Sequence, residues 1–346
     1  MLLFRHFASA LALTLLLTCP APTLAADQPL PTPDTVSPEL QALIAAPPSP
    51  IWNAHPASAD EWKKLVGAVA DASLKMLPGL REKLGVTLTK GELGGVPVFY
   101  LTPAGMPAER CDRLLINLHG GGYVLNPGES GTLEATLMAG LGGYRVVYVD
   151  YRMAPDHPYP AAIDDALAVY RELLKTVPAE KIGVFGTSTG GAMTLILPLS
   201  ARTAGLPMPA ALGAGTPWSD LTRTGDTYFT NEGRDNMLVT YDGWLGDAAR
   251  IYAAGHDMKD PMLSPVYGDL SGFPPTMLTS GTRDLFLSNT VRVHLKLREA
   301  GVPADLIVFE GMSHAQYHIL PDAPETKLHF TELARFFDRY MQAAGK

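Results

Sequence analysis

Residues 181–197 read "KIGVFGTSTGGAMTLIL" and set Ser188 between two glycine-bearing segments. The stretch starts as a short apolar run and continues as a helix-forming segment from Thr189. A serine at the tip of such a strand–turn–helix unit has the context of a nucleophile elbow. The G-x-S-x-G frame alone decides little, because glycine accounts for 33 of 346 residues. The context decides more. Gly186 and Gly190 keep two crossing backbones free of Cβ atoms, and Gly191 lets the helix approach the sheet. A merely structural turn explains the glycines but not the hydroxyl at its tip.

The surrounding chain alternates strands and helices. "VPVFYLTP", "RLLINLHG", "YRVVYVDY", "KIGVFG", "AALGAGTPW", "PTMLTSG" and "ADLIVFEG" read as strands. Helical segments are expected at 61–84, near 131–141, in "AAIDDALAVYRELLKTV", from Thr189, in "NTVRVHLKLREAG" and at 324–342. This order predicts an α/β fold with a mainly parallel sheet covered on both faces. Residues 26–85 read as a leader and the N-terminal part of a cap. The proline-rich part, 27–60, is expected to be extended and unpacked. The catalytic body spans 86–218 and 263–346. Between its halves lies an insertion, 219–262, bearing Tyr228, Phe229, Tyr241, Trp244 and Tyr252. It reads as a cap over the carboxyl edge of the sheet, with a long surface loop as the alternative.

Composition narrows the function. Apolar residues make up 47% and charged residues 18%, as in a globular protein with a sizeable core. A net charge of -8 argues against a nucleic-acid partner or an anionic membrane surface. Residues 1–25 have the layout of a secretory signal peptide. Arg5 precedes an apolar run too short to span a bilayer, and Thr23 and Ala25 suit a cleavage site. The expected location is therefore periplasmic or secreted, with lipid attachment at Cys19 as a rival. Cleavage would leave Cys111 alone and unable to form an internal disulfide.

A serine hydroxyl needs a base, and the base needs a carboxylate to orient it. His314 in "FEGMSHAQY" follows the last strand and so emerges at the same sheet edge as Ser188. His318 would need a different loop shape. His294 and His329 lie on helices, where surface roles are expected. Asp284 in "PTMLTSGTRD" reaches the same edge, and its rival role is a helix N-cap. The order Ser188, Asp284, His314 is that of α/β-hydrolases. "LLINLHGGGYV" places Gly120, Gly121 and Gly122 directly after a strand, where main-chain N–H groups can face an oxyanion. Thr189 N–H adds another donor. The chain contains no H-E-x-x-H or paired C-x-x-C, and "HGGGY" lacks the lysine and spacing of nucleotide-binding loops.

These residues resemble the hormone-sensitive-lipase-like esterases of the α/β-hydrolase superfamily. "HGGGY" at 119–123, "YRMAPDHPYPAAIDDA" at 151–166, "TPWSDL", "MLSPVYGDL" and "SGTRDLFLSNT" carry the likeness over roughly residues 90–345. "GTSTGG" is similar to the branch with threonine before the nucleophile, although Thr189 replaces the usual alanine. The resemblance implies hydrolysis of short- to medium-chain carboxylic esters with no cofactor and no metal. It carries over Ser188, Asp284 and His314 as the triad, and Gly121, Gly122 and Thr189 as oxyanion donors. His119 and Gly120 would shape the oxyanion loop. An amidase or peptidase, or a lactone or polyester hydrolase, would use the same triad. A non-catalytic ligand-binding homologue and a homodimeric assembly also stay open.

Overall fold

Five strands of this chain are buried along their whole length, which only a sheet covered on both faces allows. In a computed structural model, which describes residues 30–341, eight strands form one sheet. They are β1 (Val86–Leu93), β2 (Val96–Pro103), β3 (Leu114–Leu118), β4 (Val146–Val149), β5 (Ile182–Thr187), β6 (Ala211–Gly215), β7 (Thr276–Gly281) and β8 (Ala304–Phe309). The spatial order is β1-β2-β4-β3-β5-β6-β7-β8. Pairing is parallel from β4 through β8 and antiparallel at β1–β2 and β2–β4. β3 to β7 are the fully buried strands.

The helices are α1 (Pro38–Ile44), α2 (Ala59–Leu84), α3 (Leu133–Gly142), α4 (Ala161–Leu173), α5 (Thr189–Thr203), α6 (Thr227–Thr230), α7 (Trp244–Ala253), α8 (Leu287–Glu299) and α9 (Pro324–Tyr340). Alternate strand residues separate into two cores, as the period of two demands. Ile116, Val147, Val184, Leu212 and Leu278 pack with α4, α5 and α8. Leu115, Val146, Phe185, Ala211 and Met277 pack with α3 and α9 on the other face. Among the described residues no helix is long and apolar enough to cross a membrane. The signal-peptide reading of residues 1–25, with Cys19, lies outside the described residues.

Three features differ from the sequence expectation. The proline-rich leader is not wholly extended. Ser37 Oγ accepts the Leu40 N–H, Pro38 starts α1, and Leu40 and Ile44 bury one helical turn apart against Phe309, Met312 and Tyr317. β1 was hidden because its edge position leaves it mostly exposed, so it shows little apolar alternation. His329 does not lie at the surface. It faces inward from α9, its ring tilted against Tyr317 with centres 4.1 Å apart, and burial pushes its imidazole down to about 3.

α3 also places a charge inside the molecule. Its sequence, LEATLMAGLG, has Glu134 as its single ionisable side chain, and that carboxyl is buried. It accepts hydrogen bonds from Thr187 Oγ1 (2.7 Å) and Asn117 Nδ2 (3.2 Å). Tyr317 OH donates in turn to Thr187 Oγ1 at 2.7 Å. Desolvation outweighs these bonds and raises the carboxyl from its ordinary 4.5 to about 7.

Two outcomes follow from this packing. A Cβ at Gly190 would lie 1.8 Å from the Leu118 carbonyl oxygen, and one at Gly186 would lie 2.0 Å from it. Gly190→Ala is therefore expected to destabilise by about 3 kcal/mol or more. A wild-type urea midpoint in that variant would contradict the packing. Glu134 keeps its proton up to about pH 7 in the fold but releases it near 4.5 when unfolded. The native state binds the extra proton between those values, so this group's contribution falls as pH rises across that window, by about 3 kcal/mol in all. Glu134→Gln removes that fall, and Asn117 Oδ1, which lacks a partner, can accept from the new amide. Stability measured from pH 4 to pH 8 should show variant and wild type diverging across the window; parallel curves would refute it.

Candidate active site

The turn from β5 into α5 forces Ser188 into a backbone conformation that side-chain-bearing residues avoid, with φ 64° and ψ -122°. Three main-chain bonds hold it there. Ser188 N–H donates to the Gly215 carbonyl (2.9 Å), and the Ser188 carbonyl accepts from Ala192 and Trp218 N–H, each at 3.0 Å. The flanking glycines answer the crossing of β3 over this turn, since both Gly186 and Gly190 face the Leu118 carbonyl. Gly191 approaches the Gly215 carbonyl, where a Cβ would sit 2.6 Å away. The sequence reading of these glycines therefore holds, and the crossing partner is the end of β3.

Asp284 and His314 meet at the same edge. His314 Nδ1 lies 3.0 Å from Asp284 Oδ1, and both side chains are buried. Asp284 Oδ2 accepts the Ser280 hydroxyl at 2.6 Å, and Oδ1 also accepts the Phe286 N–H at 2.9 Å. Asp284 is not the N-cap foreseen as a rival role: Phe286 takes that position, and the Asp284 bond to its N–H closes a turn before α8. The edge of the imidazole packs against Phe286, with ring centres 4.8 Å apart. With the Nδ1 proton donated to Asp284, the Nε2 lone pair is left to act as a base.

The glycine run after β3 is held by its own carbonyls. Gly120 O accepts from His119 Nδ1 (2.9 Å) and Asn126 Nδ2 (3.0 Å). Gly121 O accepts from Val124 N–H (3.1 Å) and Leu125 N–H (2.8 Å). In a trans peptide the N–H points opposite to the carbonyl, so the N–H groups of Gly121 and Gly122 turn out of the loop. Gly121 and Gly122 take φ values of 129° and 66° to do so. Thr189 opens α5, so its N–H has no partner within the helix. His119 is buried and stacked on Tyr151 at 4.1 Å, and desolvation lowers it to about 4, so it stays a neutral donor to Gly120.

Ser188, His314, Gly120 and Gly121 line one cavity of about 610 Å³. Its other walls come from α2 (Val69, Ala72, Ser73), the insertion (Met237, Leu238, Trp244) and Leu133 and Glu134 of α3. Volume and apolar lining suit a small organic ligand. His318 also borders it, and desolvation lowers that imidazole to about 4. Sequence reasoning missed Glu134 and the buried Asp235. A lone carboxylate in an otherwise apolar helix was a signal for the first. Asp235 carried none, because its partners lie 50 and 79 residues away.

Comparison with known proteins agrees with this geometry. Residues 115–318 match the family defined by the α/β-hydrolase fold. The chain is 33% identical over 220 residues to an acetyl-hydrolase of Streptomyces hygroscopicus, covering 63% of this chain and 73% of that protein. The crystal structure of an esterase, E25, matches with a TM-score of 0.87 at 44% identity, covering 90% of this chain and 97% of that one. A hormone-sensitive lipase from a metagenome library matches at a TM-score of 0.70 and 28% identity, over 81% of this chain and 98% of that chain. The chain belongs to the α/β-hydrolase family and, within it, to the hormone-sensitive-lipase-like carboxylesterases.

Proposed function

We propose that the protein hydrolyses short- to medium-chain carboxylic esters through an acyl-enzyme formed on Ser188. One observation carries the reading. The Asp284-bound imidazole and the strained serine share one cavity wall, beside an oxyanion loop whose N–H groups are turned outward. His314 Nε2 takes the Ser188 proton as the oxygen attacks the ester carbonyl. The N–H groups of Gly121, Gly122 and Thr189 receive the negative charge that develops on the carbonyl oxygen. His314 returns the proton to the leaving alcohol, then activates a water that releases the acid. Asp284 holds the imidazole in its Nδ1–H tautomer and stabilises the imidazolium without taking its proton.

Residues 219–262 and α2 act in this reading as a cap. Met237, Leu238 and Trp244 from the insertion line the cavity together with Val69 and Ser73 of α2, which supports the role. The apolar segment before Ala25 supports export, so the enzyme would work in the periplasm or outside the cell.

Ser188→Ala is expected to fold with an unchanged thermal transition and to lose turnover of p-nitrophenyl butyrate. Retained turnover would end the proposal. Asp284→Asn leaves the imidazole in the wrong tautomer, and kcat should fall by about 10⁴. A loss smaller than tenfold would assign the orienting role elsewhere.

A further inference from the structure

Behind the Asp284–His314 pair sits a carboxylate that the acyl-transfer chemistry does not use. Asp235 belongs to the insertion and is fully buried. Its Oδ1 accepts the N–H groups of Met237 (2.8 Å) and Leu238 (3.1 Å), closing its own turn. Its Oδ2 accepts the N–H groups of Leu285 (2.8 Å) and His314 (3.3 Å). Leu285 follows the acid in sequence, and His314 is the base itself. A single oxygen therefore ties the acid's loop to the base's loop.

Asn236 extends the tie. Its N–H donates to Ser313 Oγ, its side-chain amide donates to the Leu43 and Ala46 carbonyls, and its Oδ1 accepts from Gln316 Nε2. The leader, the insertion and the His314 loop are thus joined around one buried charge.

The ionisable groups acting on Asp235 are Asp284, from the loop after β7, and His314, from the loop after β8. Arg234, its neighbour in sequence, donates to the exposed Thr230 carbonyl. Arg283 has Glu310 and Arg234 as its charged neighbours. Desolvation, then the Asp284 charge, push the Asp235 carboxyl up to about 6, while the His314 charge and the N–H donors pull it back. It is therefore ionised above that pH.

We infer that Asp235 is a positioning residue of the acid–base pair, which sets the spacing of the Asp284 and His314 loops and, as a second buried negative charge, raises the basicity of the imidazole. A nearby negative charge favours the imidazolium, so removing it lowers the pH at which His314 loses its proton. The inference rests on the triad reading above.

The test compares kcat/KM against pH for wild type and Asp235→Asn with p-nitrophenyl butyrate. The acidic limb of the variant should move about one pH unit lower, with kcat reduced and KM little changed. A slower variant with an unmoved limb would overturn the inference, because removal of a buried negative charge beside the imidazole must move that ionisation. If Asp235→Asn does not fold, titration of the wild-type His314 imidazole resonance decides, assigned by its loss in His314→Asn. Two inflections, one from each group, are expected; a single inflection overturns the inference. Ser188→Ala separates the two readings. If it keeps full turnover, the triad falls and takes this inference with it. If it is inactive while the Asp235→Asn limb is unmoved, only the role of Asp235 falls.

Discussion

The close crossing of two backbones holds this site together. The Leu118 carbonyl at the end of β3 presses into the turn that carries Ser188, with no room for a Cβ at Gly186 or Gly190. From that crossing the chain runs one way into the His119–Gly122 loop and the other into α5. The His119–Gly122 loop and Ser188 are therefore fixed to each other through main chain rather than side chains, which leaves few torsions free to blur their geometry. The strain at Ser188, of the order of 1–3 kcal/mol for such a conformation, is held in place by the bonds to Gly215, Ala192 and Trp218.

The same economy governs charge. The cavity has three histidines on or near its wall, yet burial leaves His119 and His318 neutral down to about pH 4. His314 differs in its partners: its Nδ1 meets the Asp284 carboxylate and its main-chain N–H meets that of Asp235. Its neighbour His119 serves as a stacking face and a hydrogen-bond donor. Burial also raises two carboxyls, Asp235 to about 6 and Glu134 to about 7, against the pull of their hydrogen-bond donors.

How much of this was legible in the sequence depends on how local each cause is. The elbow was legible because its serine and glycines stand within six residues of chain, although the carbonyl they make room for belongs to Leu118. Asp284 and His314 were legible because strand ends in a parallel sheet share one edge, which needs only the order of elements. β1 and α1 were not. The first is an exposed edge strand containing Gly91, and the second is seven residues long inside a proline-rich stretch. The placement of His329 failed for a related reason: its inward orientation depends on how α9 rotates against the sheet. Asp235 was not legible, since two of its four N–H partners come from 50 and 79 residues away and the other two only close a local turn.

That invisibility has a mechanistic side. Ser188 and the His119–Gly122 loop are anchored to the sheet, but Asp284 and His314 reside on two separate loops. The element spanning those loops is the insertion, and the insertion also forms a wall of the cavity through Met237, Leu238 and Trp244. Met237 and Leu238 directly follow the Asp235–Asn236 clamp, and their N–H groups bind its carboxylate. A ligand pressing on those two side chains therefore acts on the same short turn that sets the His314 main chain. One wall of the cavity and the His314 main chain are therefore joined through Asp235, because two consecutive wall residues and His314 donate to the same carboxylate.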